Sequence, residues 1–125
     1  VITICKKFHF DAAHRLPNYE GQCANLHGHR WEVEVEIAGE IDSKTGMIVD
    51  FGILKSMVKE TFLDEFDHSY LNNHSLNPTV ENLLRLIVAY LRTTIGIGEM
   101  VPFLRLVRVR LYESPDAYAE WRVDE

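Results

Sequence analysis

The chain has 125 residues, 46% of them hydrophobic and 26% charged, a balance expected of one soluble domain spanning residues 1–125 that folds without needing a disulfide or a metal. Its net charge is −6 and its 13 Lys and Arg are spread along the chain, which argues against a nucleic-acid partner, because phosphate-backbone affinity comes from clustered cations. No apolar run reaches the ~18 residues of a membrane span, so no membrane partner is expected; the start does not read as a leader peptide, and only Cys5 and Cys23 are present, so a reducing, cytoplasmic setting is expected.

Residues 2–10 read as a strand, β-branched at its start and aromatic at Phe8 and Phe10. Residues 11–29 carry Pro17, Asn18, Gly21 and Asn25, which mark a loop. Residues 31–37 alternate: Trp31, Val33, Val35 and Ile37 point one way, Glu32, Glu34 and Glu36 the other. Residues 38–46 read as a turn and 47–49 as a short strand end. Asp50 is an N-cap for a helix running to about residue 65, with Leu54, Met57, Val58, Thr61, Phe62 and Phe66 on one face. After a loop over 67–79, a second helix starts around Thr79, just beyond Pro78. Its stripe is Val80, Leu84, Ile87, Val88 and Leu91. Residues 93–102 form a loop, 104–112 an alternating strand with Arg105, Arg108 and Arg110 among apolar residues, and 117–123 a last strand.

The order ββααββ predicts an α+β domain, with a four-stranded antiparallel sheet and both helices on one face. Exposed edges on such a sheet, with regular Glu and Arg faces, predict a homo-oligomer.

The stretch CANLHGH concentrates the chemistry. His27 and His29 are two apart, so on a strand their imidazoles share a face. His14, at the end of the first strand, is the natural third ligand, and three histidines leave one position of a tetrahedral Zn²⁺ open, as in a catalytic site. Cys23, four residues before His27, has three readings: a fourth ligand closing a structural site, a free catalytic thiol, or an inert cysteine. Cys5, inside a strand pattern, reads as inert. Asp67 and His68 are adjacent, so their contact needs irregular backbone such as a helix end; such a pair can orient a general base. His9 and His74 have no evident partners. Glu81 lies in the first turn of the second helix, where the dipole favours negative charge. Glu113 ends the third long strand, where a carboxylate is either an exposed strand-end charge or an acceptor of two parallel N–H bonds from a guanidine-like ring edge.

Six pieces, FDAAHRL, CANLHGH, GMIVDFGILK, LDEFDHSYLN, NPTVENL and VRLYES, come in an order that resembles the 6-pyruvoyl-tetrahydropterin synthase family over nearly the whole chain. The Cys-x-x-x-His-Gly-His spacing is similar to its carboxy branch, which makes 6-carboxy-5,6,7,8-tetrahydropterin. The resemblance implies the T-fold (tunnelling fold), assembled as an oligomeric barrel, typically a homohexamer with active sites between subunits. It implies that His14, His27 and His29 carry Zn²⁺ and that Cys23 is the catalytic base rather than a fourth ligand. Asp67 and His68 would complete a relay from a neighbouring subunit, Glu113 would anchor the pterin's pyrimidine edge, and Glu81 would lie near the same pocket. The implied substrate is 7,8-dihydroneopterin triphosphate, cleaved with release of triphosphate and acetaldehyde, without nicotinamide or flavin, toward 7-deazaguanine and queuosine. The sister activity, 6-pyruvoyl-tetrahydropterin synthesis, uses the same parts without side-chain cleavage, and a non-catalytic zinc-stabilised pterin-binding oligomer is the reading from a different class. No Lys/Arg cluster receives the triphosphate; Arg15 and a basic residue of another subunit both fit. Residues 93–103 are a variable connection with no assigned role.

Overall fold

The structure is a computed structural model describing residues 1–95 and 104–124, so most of the connection at 93–103 lies outside the described residues. Strands β1 (Thr3–His14) and β2 (His27–Ala38) pair antiparallel along their whole length, from Thr3 opposite Ala38 to His14 opposite His27. Period-2 alternation therefore sets Phe8, Phe10, Ala12 and His14 on one face with Trp31, Val33, Val35 and Ile37. Both strands outrun the expectation from alternation. Residues 11–14 contain no β-branched residue, and it is the pairing with β2 that draws them into the ladder.

The sheet has five strands, ordered β3-β1-β2-β4-β5, not the four expected. The extra strand, β3 (Ser69–Tyr70), runs parallel to Ala12 and Ala13 inside the segment read as a loop. Two residues are too few to carry a period-2 pattern, so sequence alone offered no sign of it. The other four, with β4 (Arg105–Ser114) and β5 (Ala117–Arg122), pair antiparallel as expected. Residues 47–49 are not a strand. They find no ladder partner; Ile48 and Val49 pack on the core as the chain enters the next helix.

That helix begins where Asp50 accepts the Gly52 N–H at 2.6 Å. It is continuous through α1 (Phe51–Val58), a π-helical turn (Lys59–Leu63) and α2 (Asp64–Phe66). Within the π-helical turn the Thr61 hydroxyl donates back to the Met57 carbonyl, and Phe62 and Leu63 are both buried. Helix α3 (Val80–Arg92) is capped by Thr79, whose hydroxyl accepts the Asn82 N–H at 3.1 Å. Helices α1 and α2 lie over β1, and α3 lies over β4 and β5, closing a core of Phe10, Trp31, Phe62, Phe66, Leu83 and Ile87.

The opposite sheet face explains the Glu and Arg alternation. Arg108 is buried and donates to Glu36 at 2.7 Å and to Glu34 at 3.3 Å. Glu120 accepts from Arg110 at 2.6 Å and from Arg122 at 2.9 Å. The Arg108 hydrogen bond holds Glu36 below the usual carboxylate range, and Arg110 does the same for Glu120. These pairs fix which residue faces which across β2, β4 and β5.

Trp31 is fully buried, stacks parallel to Phe10 and donates its indole N–H to the Ala12 carbonyl at 3.2 Å. Trp31→Ala should therefore cost about 3–5 kcal/mol, from the cavity it opens and the carbonyl it abandons. Chemical denaturation checks this, with Arg122→Ala as the exposed control expected within about 0.5 kcal/mol of wild type.

Candidate metal centre and active site

The apolar row of the sheet ends in histidine. His14 lies opposite His27, and His29 lies opposite Ala12, whose small side chain leaves room for the ring. The ligand atoms of His14, His27 and His29 all lie within 4.8 Å of one another, the only convergent group of this kind among the described residues. His14 is fully buried, and Trp31 stands against both His14 and His29, joining the core to the site.

Two backbone carbonyls decide the protonation of this cluster. His14 Nδ1–H donates to the Pro78 carbonyl at 2.8 Å, and His27 Nδ1–H donates to the Asn25 carbonyl at 2.7 Å. A carbonyl only accepts, so each ring keeps its proton on Nδ1 and presents a lone pair at Nε2. The two Nε2 atoms are 3.1 Å apart. Facing lone pairs repel unless a proton or a metal ion sits between them. Burial pushes His14 below its ordinary value, against the Pro78 contact that raises it, so a proton is the poorer occupant. Burial also lowers His29, against the raising effect of Glu113. His29 Nε2 is itself buried without a hydrogen-bond partner, and Glu113 Oε1 stands 3.7 Å from it. Three convergent imidazoles, two oriented by backbone carbonyls and one with an unused nitrogen, fit a divalent transition-metal ion.

Cys23 lies in a 3-10 turn, Gln22–Ala24, half-buried, and its sulfur is not among the convergent atoms. Asp67 and His68 occupy irregular backbone. Asp67 ends the helix in an extended conformation, and His68 has φ of +60°, a left-handed position unusual for this residue type. Asp67 Oδ1 accepts the Asp11 N–H at 2.9 Å, and the His68 N–H donates to the Asp11 carbonyl at 2.6 Å. These two bonds hook the pair to β1. They leave the His68 ring 80% exposed, with Nε2 3.6 Å from Asp67 Oδ2.

Two hollows of about 500 Å³ each meet beside the triad. Both are lined by Gly28, His29 and Arg30; one adds Glu113 and Tyr112, the other His68 and Asp11. A Cβ on Gly28 would meet only the Ala12 carbonyl oxygen, at 3.8 Å, so the fold itself does not exclude a side chain there. Glu81 lines neither hollow. It faces a groove between α3 and β5 with Arg85 and Trp121. Sequence reasoning passed over Arg30, an exposed cation on the rim of both hollows; its place directly after the second histidine was the one available sign. His9, without an evident partner in the sequence, lies opposite Glu32 in the register, with 3.6 Å between His9 Nε2 and Glu32 Oε1. The Pro78 and Asn25 carbonyls carry no side-chain signal and could not be read from sequence.

A profile of the 6-pyruvoyl tetrahydropterin synthase family matches residues 3–124. The 6-carboxy-5,6,7,8-tetrahydropterin synthase of Haemophilus influenzae is 32% identical, over 98% of this chain and 99% of its own. A putative 6-carboxy-5,6,7,8-tetrahydropterin synthase of Archaeoglobus fulgidus is 38% identical over 90% of this chain and 89% of its own. The structure of Caenorhabditis elegans 6-pyruvoyl tetrahydropterin synthase superposes with a TM-score of 0.82 at 25% identity, covering 98% of this chain and 96% of that one.

Because the folded His14 and His29 sit below their unfolded value of about 6.5, the unfolded chain binds more protons as pH falls through that range. The stability held above pH 6.5 should therefore be lost as pH drops toward the lower folded values. Thermal melts of metal-free protein should show a falling Tm between about pH 7 and pH 5, above the range where ordinary carboxylates titrate. A flat Tm across that window would contradict the lowering of His14 and His29 by burial.

Proposed function

Because the chain belongs to the 6-pyruvoyl tetrahydropterin synthase family, we propose that it converts 7,8-dihydroneopterin triphosphate and water to 6-carboxy-5,6,7,8-tetrahydropterin, acetaldehyde and triphosphate. The relatives at 32% and 38% identity carry the name of that activity. The observation that carries the reading is the open three-histidine cluster with a half-buried thiol outside it. A closed structural site would draw the thiol in as a fourth ligand.

His14, His27 and His29 would hold Zn²⁺, with the Pro78 and Asn25 carbonyls fixing two of the rings. Bound there, the ion supplies Lewis acidity toward the side-chain hydroxyls of the substrate and acidifies the neighbouring C–H. Cys23, as thiolate, accepts the proton from the side-chain carbon. His68 returns a proton at another carbon, its ring oriented by Asp67. Glu113 accepts two N–H bonds from the pyrimidine edge of the pterin in the hollow it lines. Arg30, on the rim shared by both hollows, is the cation best situated for the phosphates, since the Arg15 Nε is engaged by the Ala24 carbonyl. Glu81 takes a lesser part near the pterin, one that a neighbouring subunit would have to complete, because its own groove lies apart from Glu113.

Among the described residues the T-fold sheet has two unpaired edges, β5 on one side and β1 before Ala12 on the other. Joined head to tail, such edges close a ring, which supports a homohexameric barrel with sites between subunits and His68 covered by a neighbour. The product would feed 7-deazaguanine and queuosine synthesis in the cytoplasm.

Product analysis of zinc-loaded protein with 7,8-dihydroneopterin triphosphate tests the reading. The expected products are the carboxypterin and acetaldehyde; a pyruvoyl product would move the chain to the sister activity. Cys23→Ala should keep its zinc and lower kcat by about 10²–10⁴-fold, whereas loss of zinc and stability together would make Cys23 a ligand. Glu113→Gln and Arg30→Ala should each act mainly on KM, raising it about ten-fold or more.

A further inference from the structure

Strand β3 accompanies β1 for two residues, Ser69 beside Ala12 and Tyr70 beside Ala13. The chain then enters the 3-10 turn Leu71–Asn73 and its backbone leaves the ladder. The side chain of Asn72 continues the pairing. Its Oδ1 accepts the Arg15 N–H at 2.9 Å, and its Nδ2 donates to the Arg15 carbonyl at 2.8 Å. A primary amide carries the same donor and acceptor as a peptide group, so this is a ladder pair made by a side chain.

Arg15 reaches the other way, to the turn that bears Cys23. Its Nε donates to the Ala24 carbonyl at 3.2 Å, and the next residue, Leu16, donates its N–H to the Cys23 carbonyl at 3.2 Å. The carbonyl of the thiol-bearing residue and the one after it are both held from the end of β1. The turn's own bonds are short-range: Ala24 N–H to the Gly21 carbonyl and Asn25 N–H to the Gln22 carbonyl. They shape the turn without tying it to the histidines.

Resting on the reading of Cys23 as the proton-accepting thiol, we infer that Asn72 and Arg15 are positioning residues for it, forming a bracket from the β3 segment through the end of β1 to the Cys23 turn. Asn72 lies four residues beyond His68, on the segment already hooked to Asp11. One stretch, residues 67–72, thereby sets the thiol and the Asp67–His68 pair against the strand that ends in His14. The bracket's hydrogen bonds are exposed, so losing one costs little global stability. A displaced proton acceptor, in contrast, is felt directly in rate.

The test compares Asn72→Ala, Arg15→Ala and Arg15→Lys with wild type in the zinc-loaded protein. Iodoacetamide labelling is followed separately at Cys23 and Cys5 by peptide mass spectrometry, alongside zinc content, kcat and KM. Cys5 lies opposite Glu36, at the other end of the β1–β2 ladder, and serves as the internal reference. Each variant should label about five-fold faster at Cys23, with Cys5 and zinc unchanged, and should lose about 10–100-fold in kcat with KM within about two-fold. Arg15→Lys should match Arg15→Ala, because it keeps the charge and loses the Nε donor. Unchanged Cys23 labelling overturns the inference. So does an equal rise at both cysteines with loss of zinc, which is general loosening, and so does a rise in KM alone, which would make Arg15 a substrate contact. Should Cys23→Ala keep full turnover, the catalytic reading falls, while the labelling rates still decide whether the bracket holds the turn.

Discussion

A slip of one residue between β1 and β2 would turn every core side chain of one strand to the charged face and part His14 from His27 and His29. Burial sets that register, and an ion-pair cluster sets the next one in the sheet. On one face, Phe8, Phe10, Trp31, Val33, Val35 and Ile37 are buried beneath the helices. On the other, Arg108 is buried between Glu34 and Glu36, a geometry that fails if β2 shifts against β4. Removing one partner of such a group strands a buried charge, a penalty of several kcal/mol. The apolar face thus sets β1 against β2, the charged face sets β2 against β4, and the histidine cluster inherits its geometry from the first.

The cluster is a continuation of the core in which the last side chains of the apolar row become imidazoles. Trp31 fills the boundary, with Phe10 on its core side and His14 and His29 on the other. Fixed carbonyls at Asn25 and Pro78 turn two rings so that their lone pairs converge. Pro78 lies just before the Thr79 cap of α3, so the start of that helix also sets a ring of the site. The thiol and the Asp67–His68 pair come from irregular segments instead, each hooked to the far end of β1 by one backbone and one side-chain hydrogen bond. Rigid strands hold the ligand atoms, and short tethered turns carry the groups proposed to move protons.

Much of this was legible in the sequence because it has a period or a cap. The alternation over residues 31–37, the helical stripes, Asp50 as a cap and a helix start near Thr79 all match the structure. The two-residue spacing of His27 and His29 placed them on one face once β2 proved to begin at His27. What escaped has no local pattern. β3 is too short to alternate, and its parallel pairing joins residues far apart in the chain. The carbonyls that orient the rings belong to whichever residue the fold brings near. Arg30 and Asn72 look like ordinary polar residues until a hollow or an unpaired peptide group appears beside them. Glu81, given a place near the pterin pocket by resemblance, lines a groove of its own in the single chain.

Three imidazoles forming an open metal site, with the Cys23 thiol left free, are what the proposed chemistry stands on. X-ray absorption at the zinc edge of the zinc-loaded protein reads that arrangement directly. With Cys23 outside the site, the ion has nitrogen and oxygen neighbours at about 2.0–2.1 Å and no sulfur. A sulfur scatterer at about 2.3 Å would contradict it, because Cys23 would then close the site and could not serve as the base.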